Sequence, residues 1–246
     1  MNEEKFNKWF NVFILGGMAV CVILSCMTKM KEPDARRILL AVSAFGALMG
    51  VASTVLSANG SIWSFLFGLI DVCIYSYILY DSRMPGQFLL HVLYFIPMEF
   101  VGFVQWRKRG AGSKSKVKPQ LIKGKKGLLY LLLFVGVYAI AFAVSYFVLK
   151  QTGDSGNWSK MTLDAMVTTA NIVALVMMAF AYVEQWYLWT LVNISSVVLW
   201  TLTLIKDPQS GYAVIPLVKY VFYLINGING IRIWYGLAGK DGAYCN

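Results

Sequence analysis

Long apolar runs separated by short polar segments dominate this chain of 246 residues. A helix of about 20 apolar residues crosses the roughly 30 Å hydrocarbon layer of a bilayer, so each such run predicts one membrane-spanning helix. Eight runs can be delimited, at residues 10–27, 38–56, 62–80, 88–106, 128–149, 164–182, 186–205 and 212–235. The pattern therefore predicts an all-α integral membrane protein with eight spans.

The apolar pattern also repeats along the chain. Trp63 and Trp189 each lie eighteen residues before an aspartate, and a further apolar run follows both aspartates. This spacing predicts two three-helix units, at residues 38–106 and 164–235, with the run at 128–149 between them. Because each unit has an odd number of spans, one connecting helix makes both units enter the membrane from the same side, so the repeats are parallel.

The predicted organisation has four parts. They are an accessory N-terminal helix in residues 1–36, the first three-helix repeat in 37–110, a basic loop and linker helix in 111–160, and the second three-helix repeat in 161–240. The first span could instead be a signal peptide, but its leader carries glutamates beside its lysines and its run is long for that purpose. Eight spans is therefore the working prediction.

Composition and charge agree with a location in the bilayer. With 58% hydrophobic and 14% charged residues, the chain has too little polar surface to cover a soluble domain of its size. Nine of its 22 lysines and arginines lie at residues 107–126, and the positive-inside rule places that loop in the cytoplasm together with both chain ends. Four cations within residues 29–37 would then lie outside and argue against this orientation. The basic loop is interpreted as a solvated linker attracted to anionic lipid, so we expect no nucleic-acid partner.

The sequence offers little for metal or cofactor chemistry. Its four cysteines have no metal-binding spacing and His91 is the only histidine, so a zinc or haem site lacks ligands. A proton relay through His91 stays open, although a residue at a helix end facing the headgroups is the simpler interpretation. We expect no metal and no cofactor.

The richest polar pattern within the spans lies in residues 184–193. On a helix, Trp186, Trp189 and Asn193 share one face, so two indole rings and a carboxamide stand in line. Indole faces stack on flat rings and attract cations, while a carboxamide both donates to and accepts from hydroxyl groups. This face predicts one wall of a site for a planar, hydroxylated solute that could carry positive charge. The alternatives are an aromatic-belt position for Trp186 and an interhelical hydrogen bond for Asn193.

The last span repeats this combination of aromatic and polar groups. Lys219, Tyr223 and Asn226 follow helical spacing, and Asn229 lies nearby. Amides beside glycines offer hydrogen bonds together with room for a ligand to approach the backbone. Lys219 could equally extend its ammonium group to the membrane surface. We expect these four residues to contribute to the same site.

The first unit differs from the second where the site is expected. The helix that matches the tryptophan-rich one carries Phe67 and Gly68, and Asp71 follows one turn later. Asp71 and Glu99 are the only acidic residues placed well inside the spans, so either could balance a cationic solute or pair with Lys219. Such asymmetry between the units favours an asymmetric ligand.

Three stretches carry a resemblance to a known family, namely Trp186-x-x-Trp189-x-x-x-Asn193, Asn229-Gly230-Ile231-Arg232-Ile233-Trp234 and Phe67-Gly68-Leu69-Ile70-Asp71-Val72. They are similar to motifs of the PnuC nicotinamide riboside transporters, which are relatives of the SWEET sugar carriers. The third motif reads FGLINV in that family, so Asp71 stands here in place of asparagine. The resemblance covers roughly residues 38–234 and is strongest in the WxxWxxxN helix.

The resemblance implies a SWEET-like core of three, one and three helices, assembled as a homotrimer. It also implies facilitated diffusion of nicotinamide riboside by alternating access across a bacterial inner membrane, with trapping by a cytoplasmic nicotinamide riboside kinase. The residues agree with this ligand, because indoles can stack on its flat pyridinium while Asn193 binds the ribose. A nucleotide is less favoured, since only Lys219 and Arg232 are cations near the proposed wall.

Other functions stay open at this point. The closest is another small-solute carrier, such as a SWEET-like sugar permease or a carrier of thiamine. An intramembrane enzyme such as a lipid transferase would need a nucleophile or a metal cluster on one face, and the sequence shows neither, so we expect no enzyme. A receptor or scaffold that transports nothing has no need for two indoles and an amide along a buried stripe.

Overall fold

The computed structural model describes residues 3–31, 37–81, 85–151, 158–206 and 211–240. Almost all regular structure in these ranges is helical, and an isolated parallel bridge joins Gln120 to Tyr182. The helices are α1 (Glu3–Lys29), α2 (Arg37–Ala58), α3 (Ser64–Asp81), α4 (Pro85–Leu90), α5 (Ile96–Lys108), α6 (Lys125–Gln151), α7 (Trp158–Ala179), α8 (Gln185–Lys206) and α9 (Gly211–Lys240), with a π-helical turn at His91–Phe95 between α4 and α5.

The helices follow the predicted apolar runs. Within the described ranges, five helical stretches are long and apolar enough to cross a membrane, and Ala165–Ala179 forms a shorter apolar helix. The five are Lys5–Met27, Arg37–Ala58, Ser64–Asp81, Phe88–Lys108 and Lys125–Val144. The prediction of an all-α, multi-span membrane protein is confirmed, while the count of eight spans stays a prediction.

A proline shapes the fourth apolar run. Pro97 lies in the first turn of α5, directly after the π-helical turn. Proline has no N–H to donate, and its ring crowds the carbonyl group of the residue four positions earlier, here Leu93. The wider π-helical turn relieves that crowding without breaking the run.

Helix packing joins the two predicted units crosswise. Within the first unit α2 packs against α3 and α3 against α5, and within the second α7 packs against α8 and α8 against α9. Between the units, α2 packs against α9 and α5 against α7. The first helix of each predicted unit therefore contacts the last helix of the other.

The turns that follow α2 and α7 have the same conformation. Gly60 and Ala181 have positive φ angles of 69° and 58°. The N–H of Gly60 donates to Ser57 O and that of Ala181 to Met178 O, both at 2.9 Å. Trp63 stands three residues after the first of these turn residues, so its counterpart in the second turn is position 184. The sequence spacing had paired Trp63 with Trp189. That register was wrong, because it aligned two residues of the same type, whereas the two backbone turns align Trp63 with position 184.

Two buried indoles link the units near these turns. Trp106 on α5 donates its Nε1–H to Met178 O at 2.7 Å, and Trp234 on α9 donates to Ser57 O at 3.0 Å. Both side chains are fully buried, and their ring centroids lie 5.4 Å apart. The apolar core is therefore centred on the contact between these two indoles, at the end of the bundle that carries the two turns.

The basic loop is bound to both turns rather than solvated along its length. We call residues 109–124 the strap. Val117 donates its N–H to Gly60 O and Gln120 donates to Ala181 O, both at 2.9 Å. Val117 and Ala111 are buried in the core, whereas the lysines of the strap are exposed. The prediction of a solvated linker was wrong for the backbone, because the apolar residues between the lysines anchor it and the turns supply carbonyl acceptors.

Helix α1 closes the same end of the bundle. Asn59, at the end of α2, donates its Nδ2–H to Asn11 Oδ1 at 3.0 Å, and Arg232 near the end of α9 donates to Asn7 Oδ1. The start of α1, the strap and the last turns of α9 therefore lie on one side of the bundle. Which face of the membrane that side occupies stays a prediction.

Candidate functional site

Trp186 lies inside the bundle and not at its surface. Its side chain is 3% exposed and makes an edge contact with Trp234 at a centroid distance of 6.0 Å. A methyl group placed on Gly230 of α9 would lie 2.9 Å from the ring of Trp186, so this glycine makes the close approach of the two helices possible. The aromatic-belt alternative therefore fails for Trp186, because the ring fills the α8–α9 interface.

Further along the same face of α8, polar groups replace the indole. Asn193 is buried, and its Nδ2 lies 3.8 Å from where a methyl group on Gly227 would stand. Thr190 Oγ1 lies at the same distance from that point. Trp189, between Trp186 and Asn193, is half-buried and packs against the core. The predicted face is thus a continuous stripe that changes from indole to amide and hydroxyl along α8.

The polar residues of α9 face three different neighbours. Asn226 is fully buried and donates its Nδ2–H to Thr54 O on α2 at 3.2 Å. Asn229 Oδ1 accepts two hydrogen bonds from Arg232, at 3.1 and 3.0 Å, and Arg232 continues to α1. Gly227 is the residue of this group that faces Asn193. The sequence had grouped Asn226 with the nearby Asn229, whereas in the structure Asn226 bonds α2 and Asn229 bonds Arg232 of its own helix.

Asp71 and Glu99, the acidic residues predicted to lie well inside the spans, pack against glycines. A methyl group on Gly68 would lie 2.8 and 2.9 Å from the carboxylate oxygens of Glu99, which is 8% exposed. The carboxylate of Asp71 contacts Gly50 on α2 in the same way. Phe67, one residue before Gly68, is half-buried. Glu99 and Asp71 therefore approach two different helix backbones at points where only glycine leaves room.

Lys219 is held among aromatic side chains. Its Nζ lies 5.3 Å from the ring centroid of Tyr223 and 6.0 Å from that of Tyr220. Tyr223 forms a hydrogen bond with Thr54, and Asp71 is near enough to Lys219 for their charges to interact. Lys219 is half-buried and keeps these partners, which the prediction of an ammonium group at the membrane surface did not anticipate.

Several buried polar atoms within the described residues have no hydrogen-bond partner in the protein. They include both amide atoms of Gln185, Trp186 Nε1, Glu99 Oε2, Asn226 Oδ1 and Asn229 Nδ2. A buried polar atom without a partner costs about 1–3 kcal/mol, so clusters of such atoms mark places where water or a polar ligand binds. This observation applies directly to the predicted residues Glu99, Asn226 and Asn229.

Sequence reasoning missed Gln185 and Thr54. Gln185 is fully buried at the first position of α8, immediately before the WxxWxxxN motif. The carbonyl group of Thr54 accepts a hydrogen bond from Asn226, and its side chain forms one with Tyr223. The adjacent motif was a signal for Gln185, whereas nothing in the sequence distinguishes Thr54 from other threonines in the spans. For metals, the described residues hold no group of three or more His, Cys, Asp or Glu side chains.

Comparison with known proteins identifies what this arrangement is similar to. The sequence model of a family described as nicotinamide mononucleotide transporter matches residues 40–236. A nicotinamide riboside transporter PnuC from Neisseria mucosa is 31% identical over 81% of this chain and 73% of its own length. Another, from Haemophilus influenzae, is 25% identical over 97% of this chain and 96% of its own length. A solved structure, the crystal structure of the vitamin B3 transporter PnuC, superposes with a TM-score of 0.67 at 29% identity, covering 96% of this chain and 92% of that chain.

These similarities extend across the whole site. The matched residues include the stripe on α8, the glycines and amides of α9, and the acidic residues on α3 and α5. The apolar helices together with the bacterial relatives identify a multi-pass bacterial membrane protein. The chain belongs to the PnuC family of nicotinamide riboside transporters, whose named members are carriers and not enzymes.

Proposed function

We propose that this protein carries nicotinamide riboside across a bacterial inner membrane. The observation that carries the proposal is the buried stripe of Trp186, Trp189 and Asn193 against the glycines of α9, in a chain related along nearly its whole length to PnuC proteins. Trp189 is the indole of the stripe that remains open to the bound riboside, because Trp186 is already enclosed by α9. Asn193 and Thr190 then hydrogen-bond the ribose hydroxyl groups.

The charges near the stripe favour the riboside over the mononucleotide. A phosphate group would need cationic partners, preferably arginine. Lys219 is already surrounded by tyrosines and lies near Asp71, and the carboxylate of Asp71 would repel a phosphate. The same carboxylate favours a pyridinium cation. We therefore assign the riboside, which carries no phosphate group, although the matching family description names the mononucleotide.

We further propose alternating access by two parallel three-helix repeats joined by α6, with α1 as an accessory helix. The crosswise contacts of α2 with α9 and of α5 with α7, and the matching turns at Gly60 and Ala181, support this arrangement. We propose facilitated diffusion, with the imported riboside trapped by a cytoplasmic kinase. The strap and both chain ends face the cytoplasm, and three copies of the chain assemble into a trimer.

Ligand binding to the purified protein tests the substrate assignment. We expect binding of nicotinamide riboside and much weaker binding of nicotinamide mononucleotide, thiamine and glucose. Binding of a sugar or thiamine without the riboside would replace the proposal by the corresponding carrier function. In liposomes, riboside uptake should need no proton or sodium gradient, and a strict requirement for either would refute facilitated diffusion.

Asn193→Ala tests the site within this function. Loss of a buried hydrogen bond to the ribose should weaken riboside binding by about 1–3 kcal/mol, measured by calorimetry. Asn171→Ala is the matched control, since Asn171 is a half-buried span residue whose amide bonds its own helix at Val167 O. Equal affinity of the Asn193 variant and the control would remove Asn193 from the site.

A further inference from the structure

Two tyrosine rings of α9 form a corner that holds an ammonium group. The rings of Tyr220 and Tyr223 stand at 85° to each other, with centroids 6.1 Å apart. Lys219 Nζ lies 6.0 Å from the first centroid and 5.3 Å from the second. Both distances lie at or within the range in which a cation is attracted to an aromatic face. The ammonium group of Lys219 therefore occupies the corner.

Helix α3 supplies the opposite side of this corner. Asp71 and Tyr75 lie four residues apart on one face of α3, and both interact electrostatically with Lys219. The described parts of α3 and α9 make no backbone packing contact with each other. The side chains consequently extend across a gap between helices that belong to the two predicted units.

Helix α2 keeps this group of side chains in place. The Asp71 carboxylate contacts the backbone at Gly50, one turn before Thr54. Thr54 in turn bonds Tyr223 through its side chain and Asn226 through its carbonyl group. The site is thus formed by side chains of three helices. Asp71 and Tyr223 are held by contacts with α2 as well as by Lys219.

A carboxylate with several aromatic rings is the side-chain set that recognises organic cations. We propose that Asp71, Tyr75, Tyr220 and Tyr223 form a subsite for an organic cation, that Lys219 is its tethered occupant in the empty carrier, and that the cationic ring of the transported solute displaces Lys219 during transport. The tethered ammonium compensates Asp71 when no solute is present, so the carboxylate is never left unpaired within the membrane. This inference rests on the proposed function and adds a mechanism of charge selection to it.

The test compares two ligands of nearly the same shape and different charge. Nicotinamide riboside is a cation, and its reduced dihydropyridine form is neutral. The measured quantity is the ratio of the two dissociation constants, neutral over cationic, for the wild-type protein and its variants. Lys219→Gln should raise this ratio about 5- to 30-fold, since the subsite then lacks its competing cation. Asp71→Asn should lower the ratio by a similar factor, and Lys150→Gln at an exposed position of α6 should leave it unchanged.

A second pair of variants serves if loss of the lysine prevents folding. Tyr223→Phe retains the ring but loses the bond to Thr54, and Tyr223→Leu loses the ring as well. Only the leucine variant should reduce the preference for the cation. Tetramethylammonium, as an independent probe, should compete with riboside in Lys219→Gln at concentrations that leave the wild type unaffected.

The outcomes separate this inference from the proposed function. If the wild type binds neither form of the riboside, the proposed function fails. If the wild type binds the riboside but the ratio is the same in Lys219→Gln, Asp71→Asn and the control, only the inference is overturned. Equal weakening of both ligands in Lys219→Gln would instead identify a structural ion pair and would also overturn it.

Discussion

At the residue scale, glycines decide where the buried carboxylates of this protein lie. Gly50 and Gly68 each leave the volume of a methyl group that a neighbouring carboxylate occupies, from Asp71 and Glu99 respectively. A side chain at either glycine would force the neighbouring carboxylate to move. Glu99 can therefore keep its position only if residue 68 has no side chain, as is the case for Gly68.

Gly68→Ala tests this requirement. The added methyl group would lie 2.8 Å from Glu99 Oε2, so the carboxylate must move, and overpacking of this kind costs about 1–3 kcal/mol. We expect a lower unfolding temperature in detergent. Gly136→Ala is the control, because no atom lies within 4 Å of the added methyl group and alanine favours the helix. A Gly68 variant as stable as the Gly136 variant would contradict the packing argument.

The residue types of the α8 stripe were predictable from sequence, but the surroundings of each residue were not. Trp186, Trp189 and Asn193 do share a face, because helical periodicity is a local property. That Trp186 is enclosed by Gly230 while Trp189 is half-buried depends on a helix some forty positions away in the chain. Tyr75 and Tyr220 were missed as partners of Lys219 for the same reason, whereas pairing of Lys219 with Asp71 had been kept open.

At the element scale, the turns after α2 and α7 hold the strap across the end of the bundle. Each turn residue has a left-handed backbone conformation that frees its carbonyl group for the strap. Glycine adopts this conformation without strain, whereas alanine pays roughly 1–2 kcal/mol. The chain uses glycine in the first turn and alanine in the second, so the strain differs between the two sites.

Substitutions at the two turns should have unequal effects. Gly60→Ala introduces the strain and a methyl group 3.3 Å from Leu237, so we expect a loss of about 1–2 kcal/mol in the free energy of unfolding. Ala181→Gly relieves strain but loses a buried methyl group worth about 0.8 kcal/mol, so its stability should change by less than about 1 kcal/mol. Thermal unfolding in detergent measures both. Similar losses in the two variants would show that backbone strain does not govern these turns.

At the scale of the whole molecule, the two buried indoles connect the halves of the bundle. Trp106, on the last helix of the first unit, donates a hydrogen bond to the first helix of the second unit. Trp234, on the last helix of the second unit, donates one to the first helix of the first unit. The rings also contact each other, so both links converge on one point of the core. Movement of one unit against the other must therefore either preserve these two bonds or break at least one of them.

Trp106→Phe and Trp234→Phe measure the strength of this connection. Each change removes one buried hydrogen bond, which should cost about 0.5–1.5 kcal/mol, because the two carbonyl groups keep the backbone N–H donors of the turns. Because the indoles touch, the double variant should lose a different amount from the sum of the single losses. Trp9→Phe on the exposed face of α1 is the control and should be nearly neutral. Strictly additive single losses would mean that the two links act separately.

Local information was enough for the class of this protein. Hydropathy and run length predicted a multi-span helical membrane protein, and three short motifs, WxxWxxxN the strongest, identified the family, because each depends on residues close together in the chain. Contacts between distant residues required the folded structure. They include the register of the two turns, the attachment of the strap, the burial of Trp186 and the placement of Lys219 opposite Asp71. Periodicity assigns a residue to a face of its own helix, whereas only the packed bundle determines which side chain meets it there.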